Sequence, residues 1–352
     1  MVIMKGHKGL MALKGILAAV ALCAALTGCQ NDVLVDDSEE GIGQTEYAID
    51  FVSGFVDSRV QTKADPVKLE QYNTTMGVWG WRSDNELSNE PTFINQLVSY
   101  DADAQKWTYS PLKYWVTGSN YKFNAYSPYS DGAVINPSDG MISIGGIVAD
   151  GTDWMVARAG QTASGTRIGQ TVQFTMQHIL FNKVVRARIT DAVAADEGVV
   201  KVAVQSLTVG DLVSKGDFSQ KLTHTPDPDN LTDRAAAEWT LYSAEPKQKL
   251  SYTAAEPLTT TYTNLIDALC VPQPLTADMK LLLTYTMEYS DGRVERFVFS
   301  ETLADIFKNM SYKEFMSGNT YTISLIIGPE TITFDAGSTI WTEVADSNET
   351  IN

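Results

Sequence analysis

The sequence has 352 residues, of which 44% are apolar and 20% are charged, and its formal net charge at pH 7 is −17. This length exceeds one typical domain of about 100–150 residues, so more than one folded domain is expected. A strongly acidic surface repels nucleic acid and anionic lipid headgroups, and both are therefore excluded as partners.

Residues 1–28 have the layout of a bacterial lipoprotein signal. A start with three lysines and no acid precedes a 12-residue apolar run over residues 15–26. A membrane-spanning helix needs roughly 20 apolar residues, so this run is typical of a cleaved secretory signal. The motif Leu26-Thr27-Gly28-Cys29 places a cysteine at the cleavage site. We expect cleavage before Cys29 and acylation of its thiol, which would anchor the protein in a membrane.

The segment that follows, residues 29–46, is predicted to be an acidic flexible tether. Residues 30–46 contain six acids and no base, and they cannot bury enough apolar surface to order. Without residues 1–28 the chain keeps 23 basic and 43 acidic residues, a net charge of −20. With Cys29 acylated, Cys270 remains as a single thiol, so no disulfide within the mature chain is expected.

Folded sequence begins near residue 47 with an alternating run that predicts a half-buried strand. Its apolar members fall on one face, and they are Ile49, Phe51 and Phe55. Residues 57–66 are polar, show no pattern and end in a proline, so they are predicted to form an exposed loop. This loop contains Arg59 and Lys63.

The rest of the chain gives a succession of strand signals. In the first half they lie at residues 76–81, 93–100, 106–109, 121–126, 154–157, 172–176 and 185–189. In the second half they lie at residues 200–209, 281–289, 297–299, 321–327 and 332–334. A change of phase within residues 200–209 predicts a bulge near Gln205-Ser206. Asp291-Gly292 predicts a tight hairpin after residues 281–289, and residues 302–308 allow two helical turns at most.

Short strands with turn signals every 8–12 residues or so predict an all-β protein built from sandwiches. No helical pattern reaches the ten or so residues that a crossover between parallel strands needs. We place a boundary between two sandwich domains in the small, acidic segment 191–198. The predicted domains are residues 47–192 and 193–346, with a tail over residues 347–352.

No catalytic constellation is recognisable, and the sequence predicts a protein that is not an enzyme. It has no nucleophile elbow, phosphate-binding loop or dinucleotide-binding glycine pattern. Cys270 lies in an apolar stretch without a nearby base. His178 and His224, the two histidines of the mature chain, form no zinc site of known spacing with it. We therefore expect no metal and no cofactor.

Two motifs allow either a ligand-binding role or a purely structural one. Trp79-Gly80-Trp81 could present a sugar-stacking platform, but two indoles on one strand face more commonly belong to a core. The acidic loop over residues 227–233 offers the clustered oxygens that calcium prefers. It lacks the sixth-position glycine and the distal glutamate of an EF-hand, so we interpret it as a solvated loop.

Several segments, in this order, resemble the Bacteroidia fimbrillin family. The first are the lipid-attachment motif ending at Cys29 and the strand over residues 49–56, with Arg59 behind it. The others are the aromatic series over residues 107–115 and 121–128, the Phe-x-x-x-His spacing within residues 172–180, residues 318–323 and 332–334, and Trp341. This family comprises the lipoprotein pilins of type V pili and their tip and accessory subunits, and the resemblance covers nearly the whole mature chain.

The resemblance implies two transthyretin-like β-sandwich domains in tandem, and assembly by strand exchange. A trypsin-like protease would cut the loop after the first strand, with Arg59 the favoured residue and Lys63 the second choice. That strand would leave, and the open groove would accept a strand from another pilus subunit. We expect the donor strand to come from the C-terminal segments 321–327 and 332–334. Some family members are not cleaved and act as anchors or caps.

The resemblance also implies a fimbrial subunit at the cell surface, lipid-anchored in the outer membrane and contributing to adhesion to a host or glycan ligand. In the family-like segments, Trp115, Trp154 and Trp341 are predicted to pack in the core or at sheet edges. The alternative class is a surface glycan-binding lipoprotein that uses exposed tryptophans such as Trp79 or Trp81. A secreted hydrolase ranks last because no site is present. The roles of stalk, tip and anchor stay open at this stage.

Overall fold

A computed structural model describes residues 47–55, 68–83, 90–136, 140–162, 169–221, 237–309 and 313–341. Nearly all regular structure in these residues is β, as the sequence predicts. The first half contains β1 (Phe51–Phe55), a 3₁₀ turn (Leu69–Gln71), β2 (Thr75–Ser83), β3 (Glu90–Asp101), β4 (Lys106–Thr108), β5 (Asn120–Ser127), β6 (Val134–Asn136), β7 (Met141–Val148), β8 (Met155–Thr162), β9 (Val172–His178) and β10 (Phe181–Ile189).

The second half begins with a four-residue helix and carries eleven further strands among the described residues. They are α1 (Asp191–Ala194), β11 (Val199–Val213), β12 (Lys215–Lys221), β13 (Glu238–Leu241), β14 (Lys247–Tyr252), β15 (Thr263–Cys270), β16 (Gln273–Pro274), β17 (Lys280–Tyr289), β18 (Val294–Thr302), α2 (Leu303–Ile306), β19 (Glu314–Phe315), β20 (Asn319–Ile327) and β21 (Ile332–Ile340). Neither helix is long and apolar enough to cross a membrane, within the part of the chain that is described.

The strands form four main sheets and one short pair. A seven-stranded sheet has the order β1-β9-β8-β5-β2-β3-β4. Three four-stranded sheets have the orders β13-β12-β7-β6, β15-β10-β20-β21 and β14-β11-β17-β18, and β16 pairs with β19. Most neighbouring strands are antiparallel, but β1 lies parallel to β9 and β10 lies parallel to β20.

Strand β17 shows how the sequence pattern produces the largest core. Its alternate residues Leu281, Leu283, Tyr285 and Met287 are all buried, while the hairpin at Asp291-Gly292 returns the chain as β18. Gly292 has φ +86°, which is the left-handed conformation that favours glycine. The bulge predicted in β11 is also confirmed, because the pairing with β17 shifts register between Val204 and Ser206.

Strand β5 is buried on both faces, unlike the half-buried strand that its alternation suggests. Tyr121 and Phe123 face one core, as expected, but Asn124 and Tyr126 on the other face are also fully buried. A second core covers that face, where Tyr126 packs with residues of β7 such as Ile142. Sheet-on-sheet packing therefore buries a face that local alternation alone would assign to solvent.

Strand pairing crosses the predicted domain boundary in both directions. Strand β10 precedes residue 192, yet it pairs with β15 and β20. Strand β12 follows residue 193, yet it pairs with β7. The division into residues 47–192 and 193–346 stays a prediction.

Candidate functional site: the first strand and its groove

The first strand fills an apolar groove lined by aromatic rings. Ile49 is 0% exposed and Phe51 is 4% exposed, so the inward side chains of this segment are in the core. The rings that surround Phe51 lie at centroid distances of 5.4 Å (Phe93), 5.6 Å (Tyr109), 5.7 Å (Phe174) and 5.9 Å (Phe123). Aromatic side chains dominate core energetics, so Phe51 is the main anchor of this strand.

The backbone of residues 47–55 forms hydrogen bonds first with residues 113–115 and then with strand β9. Before β1, the amide of Ile49 donates to the Lys113 carbonyl at 2.8 Å, and the amide of Trp115 donates to the Tyr47 carbonyl at 2.9 Å. Strand β1 then runs parallel to β9, from the pair Phe51–Val172 to the pair Phe55–Met176. The prediction that this segment forms a strand within the fold is confirmed.

Tyr109 ties the groove to the first strand through a polar contact. Its hydroxyl donates to the Ile49 carbonyl at 2.8 Å and accepts from the Lys113 amide at 3.2 Å. Burial raises the pKa of Tyr109 to about 12, although the hydrogen bond with the Lys113 backbone works in the opposite direction. The hydroxyl therefore stays protonated and able to donate at physiological pH.

Several predicted residues lie outside the described residues. They are Cys29, Arg59, Lys63, His224 and the acidic loop over residues 227–233. Phe55 lies at the end of β1, but its side chain is likewise outside the description. The structure therefore brings together Ile49 and Phe51 in the groove, and the lipidation and processing residues stay predictions.

The tryptophans are buried or packed rather than presented on a surface. Trp79 is 4% and Trp81 is 8% exposed, and both belong to the second core, so a sugar-stacking platform at these residues is wrong. Trp115 is 6% exposed in the first core, as predicted. Trp154 packs against the second core, and Trp341 stacks on His178.

The one thiol within the described residues lies in an apolar core. Cys270 is a buried free thiol, and burial raises its pKa to about 12, so it does not ionise readily. Over the described ranges, no group of three or more His, Cys, Asp or Glu side chains could hold a metal ion.

The two C-terminal segments expected to supply a donor strand differ in their surroundings. Strand β20 lies between β10 and β21 and is hydrogen-bonded to both. Strand β21, in contrast, pairs only with β20 among the described residues. The free edge therefore belongs to β21, and β20 is an internal strand.

Three features of the structure were not predicted from the sequence. These are the hydrogen bond of Tyr109 to the first strand, the stack of His178 on Trp341, and the burial of Lys183 at 0% exposure within an apolar core. Tyr109 and His178 lie in motifs that the sequence singles out, but their contacts join residues about 60 and 160 positions apart. Lys183 did carry a local signal, because it shares the inward face of β10 with Val185, Ala187 and Ile189.

The fold and the groove define a class of all-β proteins in which the first strand fills a groove formed by later segments of the same chain. Within this class, the chain belongs to the fimbrillin-like family, whose family model matches residues 59–341.

A solved structure shares this fold at low sequence identity. A fimbrial protein from Bacteroides vulgatus is 15% identical, with a TM-score of 0.51 over 84% of this chain and 100% of that chain. The tip fimbrial protein Mfa3 from Porphyromonas gingivalis is 10% identical over 84% and 100% of the two chains, with a TM-score of 0.38. No curated protein matches the sequence.

Proposed function

We propose that this protein is a subunit of a surface fimbrium and that it assembles by strand exchange after proteolytic cleavage. The observation that carries this proposal is the first strand itself, which fills a groove lined by β9, by residues 113–115 and by aromatic rings from later strands of the same chain. Membership of the fimbrillin-like family supports a fimbrial role. So does the fold shared with a fimbrial protein of Bacteroides vulgatus.

The groove supplies the physical basis for exchange. While the chain is intact, the first strand is tethered to its groove, and the resulting high effective concentration excludes a competing strand. Cleavage after Arg59, or after Lys63 as the second choice, removes that advantage. The strand is then held by non-covalent contacts alone, namely its buried side chains, the Tyr109 hydrogen bond and main-chain hydrogen bonds, and a strand from a second subunit can replace them.

The donor segment in this proposal is the C-terminal strand β21. Among the described residues β21 is paired on one side only, so it breaks fewer main-chain hydrogen bonds on leaving β20 than β20 would break on leaving both of its neighbours. An unpaired strand edge is a general site for pairing with another chain. Each subunit would thus offer one strand and one groove, which permits growth into a polymer.

The experiment that tests assembly is limited trypsin treatment of the full chain. Cut protein is expected to form a ladder of polymers on a gel, whereas Arg59→Ala with Lys63→Ala should prevent both cleavage and laddering. Arg296→Ala is a suitable control, because this arginine is exposed on β18, far from the groove in sequence. Polymers formed by the double variant, or cut protein that stays monomeric at high concentration, would refute the proposal.

Membrane anchoring is a separate part of the proposal. Acylation of Cys29 would hold the protein in the outer membrane, since two or more acyl chains give stable attachment. The Cys29→Ala variant should leave the membrane fraction and lose the mass of the lipid. Retention of this variant in the membrane fraction would show that the anchor lies elsewhere.

The alternative, a glycan-binding surface lipoprotein, is less well supported. This class of protein would use exposed tryptophans such as Trp79 or Trp81, and both are in the second core. A structural role rather than catalysis is the function proposed here.

A further inference from the structure

Two arginines on the outer face of one sheet share a single tyrosine ring. Arg186 and Arg188 are two residues apart on β10, so their side chains project from the same face. Their guanidinium carbons lie 4.3 Å and 5.2 Å from the centroid of the Tyr262 ring. Both distances are within the roughly 6 Å range of a cation–π interaction, so the ring orders both side chains.

A hydroxyl group contacts Arg186 from one side of β10, and the segment that carries Tyr262 runs along the other side. The Nε of Arg186 donates to Ser324 Oγ at 2.9 Å, and Ser324, opposite Arg186 on β20, is only 2% exposed. On the other side of β10, the Ile189 amide donates to the Thr259 carbonyl at 2.9 Å. The segment from Thr259 to Tyr262 therefore follows the strand past Arg188, with the hydroxyls of Thr259 and Thr261 2.8 Å apart.

The pair has no counter-ion within the described part of the chain. No carboxylate there forms an ion pair with either guanidinium at 4.0 Å or less. The acids on the same face are Asp267, opposite Val184, and Asp335, opposite Ser324, and both lie beyond that distance. Both arginines are half-buried in a protein whose net charge is −17. Since charges taken out of water are normally paired, this arrangement favours an anion from outside.

The position of the site restricts its ligand. Strand β10 is internal, bonded to β15 on one edge and to β20 on the other, so no further strand can add beside the arginines. A ligand must approach the face of the sheet as a small group. A planar carboxylate matches the fork of a guanidinium, and the neighbouring hydroxyls suit the hydroxyls of a sugar.

We propose that Arg186, Arg188, Tyr262 and Ser324 form a binding site for the carboxylate of an acidic sugar, such as a hexuronate. The arginines bind the carboxylate, Tyr262 and Ser324 hold the guanidinium groups in place, and the exposed hydroxyl of Thr261 contacts the sugar. This site does not depend on strand exchange, so failure of the polymerisation experiment leaves it untouched.

Calorimetric titration of the full chain tests the site. The probes are a galacturonic acid oligosaccharide, the same oligosaccharide with its carboxyl groups reduced to alcohols, and a peptide of residues 30–46. We expect the carboxylated sugar to bind at least about tenfold more tightly than the reduced one, a difference that calorimetry resolves. Arg186→Ala with Arg188→Ala should remove this preference.

Two further variants keep the experiment decisive. Arg186→Lys with Arg188→Lys keeps the charge but loses the planar fork, and it should weaken binding even if the alanine variant fails to fold. Arg296→Ala with Lys280→Ala removes two exposed positive charges from β17 and β18, and it should bind like the unmodified protein. Equal binding of the two oligosaccharides, an unaffected arginine variant, or tighter binding of the acidic peptide would overturn the proposal. The last of these outcomes would indicate a protein partner instead.

Discussion

The ring of His178 stacks on the indole of Trp341, with ring centroids 3.7 Å apart and planes inclined by 7°. His178 ends β9, the strand that pairs with β1, and its Nδ1 lies 2.9 Å from Asp153 Oδ2. Trp341 directly follows β21, the strand with the free edge. One aromatic contact thus connects the end of the groove to the end of the proposed donor strand.

Loss of this stack should weaken the attachment of β21. Trp341→Ala is expected to lower the free energy of unfolding by about 1–3 kcal/mol, less than for a fully buried tryptophan, because Trp341 is half-buried. Chemical denaturation measures the change. The neighbouring Ile340 is 42% exposed, so Ile340→Ala should stay within about 0.5 kcal/mol of the unmodified protein. Equal effects of the two substitutions would contradict a specific role for the stack.

Truncation of Phe51 should release the first strand from its groove. Phe51→Ala removes a ring that contacts four others, and we expect a loss of about 3–5 kcal/mol in the free energy of unfolding. The matched control is Val52→Ala, because Val52 is 44% exposed on the opposite face of the same strand. A loss below about 0.5 kcal/mol for Phe51→Ala would mean that the groove does not hold this strand.

Tyr109→Phe should remove the hydrogen bond to Ile49 while leaving the ring in place. The expected loss is about 1 kcal/mol at neutral pH, as for a typical hydrogen bond. The pKa of Tyr109 is about 12 in the folded protein and 10 when unperturbed. The stability that this difference contributes is complete below pH 10 and disappears as the pH rises from 10 to 12.

Chemical denaturation at several pH values from about 8 to about 12 measures this loss of stability, because the two pKa values lie within that range. The Tyr109→Phe variant should lose stability less steeply above pH 10 than the unmodified protein. Tyr114→Phe serves as the control, because Tyr114 is 41% exposed. Parallel pH profiles for the unmodified protein and Tyr109→Phe would argue against the burial of the Tyr109 hydroxyl that raises its pKa.

Lys183→Met should stabilise the protein at neutral pH. The Lys183 side chain is fully buried, its Nζ lies 4.4 Å from the Phe307 ring centroid, and burial lowers its pKa from 10.5 to about 7. The unfolded chain therefore binds more protons than the folded one between these values, so the unmodified protein gains stability as the pH rises from 7 to 10.5. A methionine has no charge to remove from water, so we expect the free energy of unfolding to increase by roughly 1–4 kcal/mol at pH 7.

The stability advantage of Lys183→Met should be largest below pH 7 and should shrink towards pH 10.5. Thermal or chemical unfolding across this range provides the measurement. Lys249→Met replaces an exposed lysine on β14 and should show no such trend. An advantage of Lys183→Met that does not change with pH would indicate better packing rather than removal of a buried charge.

Local patterns were sufficient for the strands whose environment is simple. The alternation in β17 and the Asp291-Gly292 turn specify a hairpin within about twenty residues of sequence. The inward face of the first strand was likewise visible in Ile49 and Phe51. These features depend on side-chain period and turn chemistry, which are properties of neighbouring residues.

The sequence by itself thus determined an all-β protein and the first strand's inward face, together with a family resemblance that the family model bears out. Tertiary structure decided that Trp79 and Trp81 are buried, because a second sheet covers a face that alternation cannot assign. It also decided that Tyr262 stands over two arginines about 75 positions earlier in the chain, and that Trp341 meets His178. Such contacts are set by sheet packing and strand order, and no local period of the sequence encodes them.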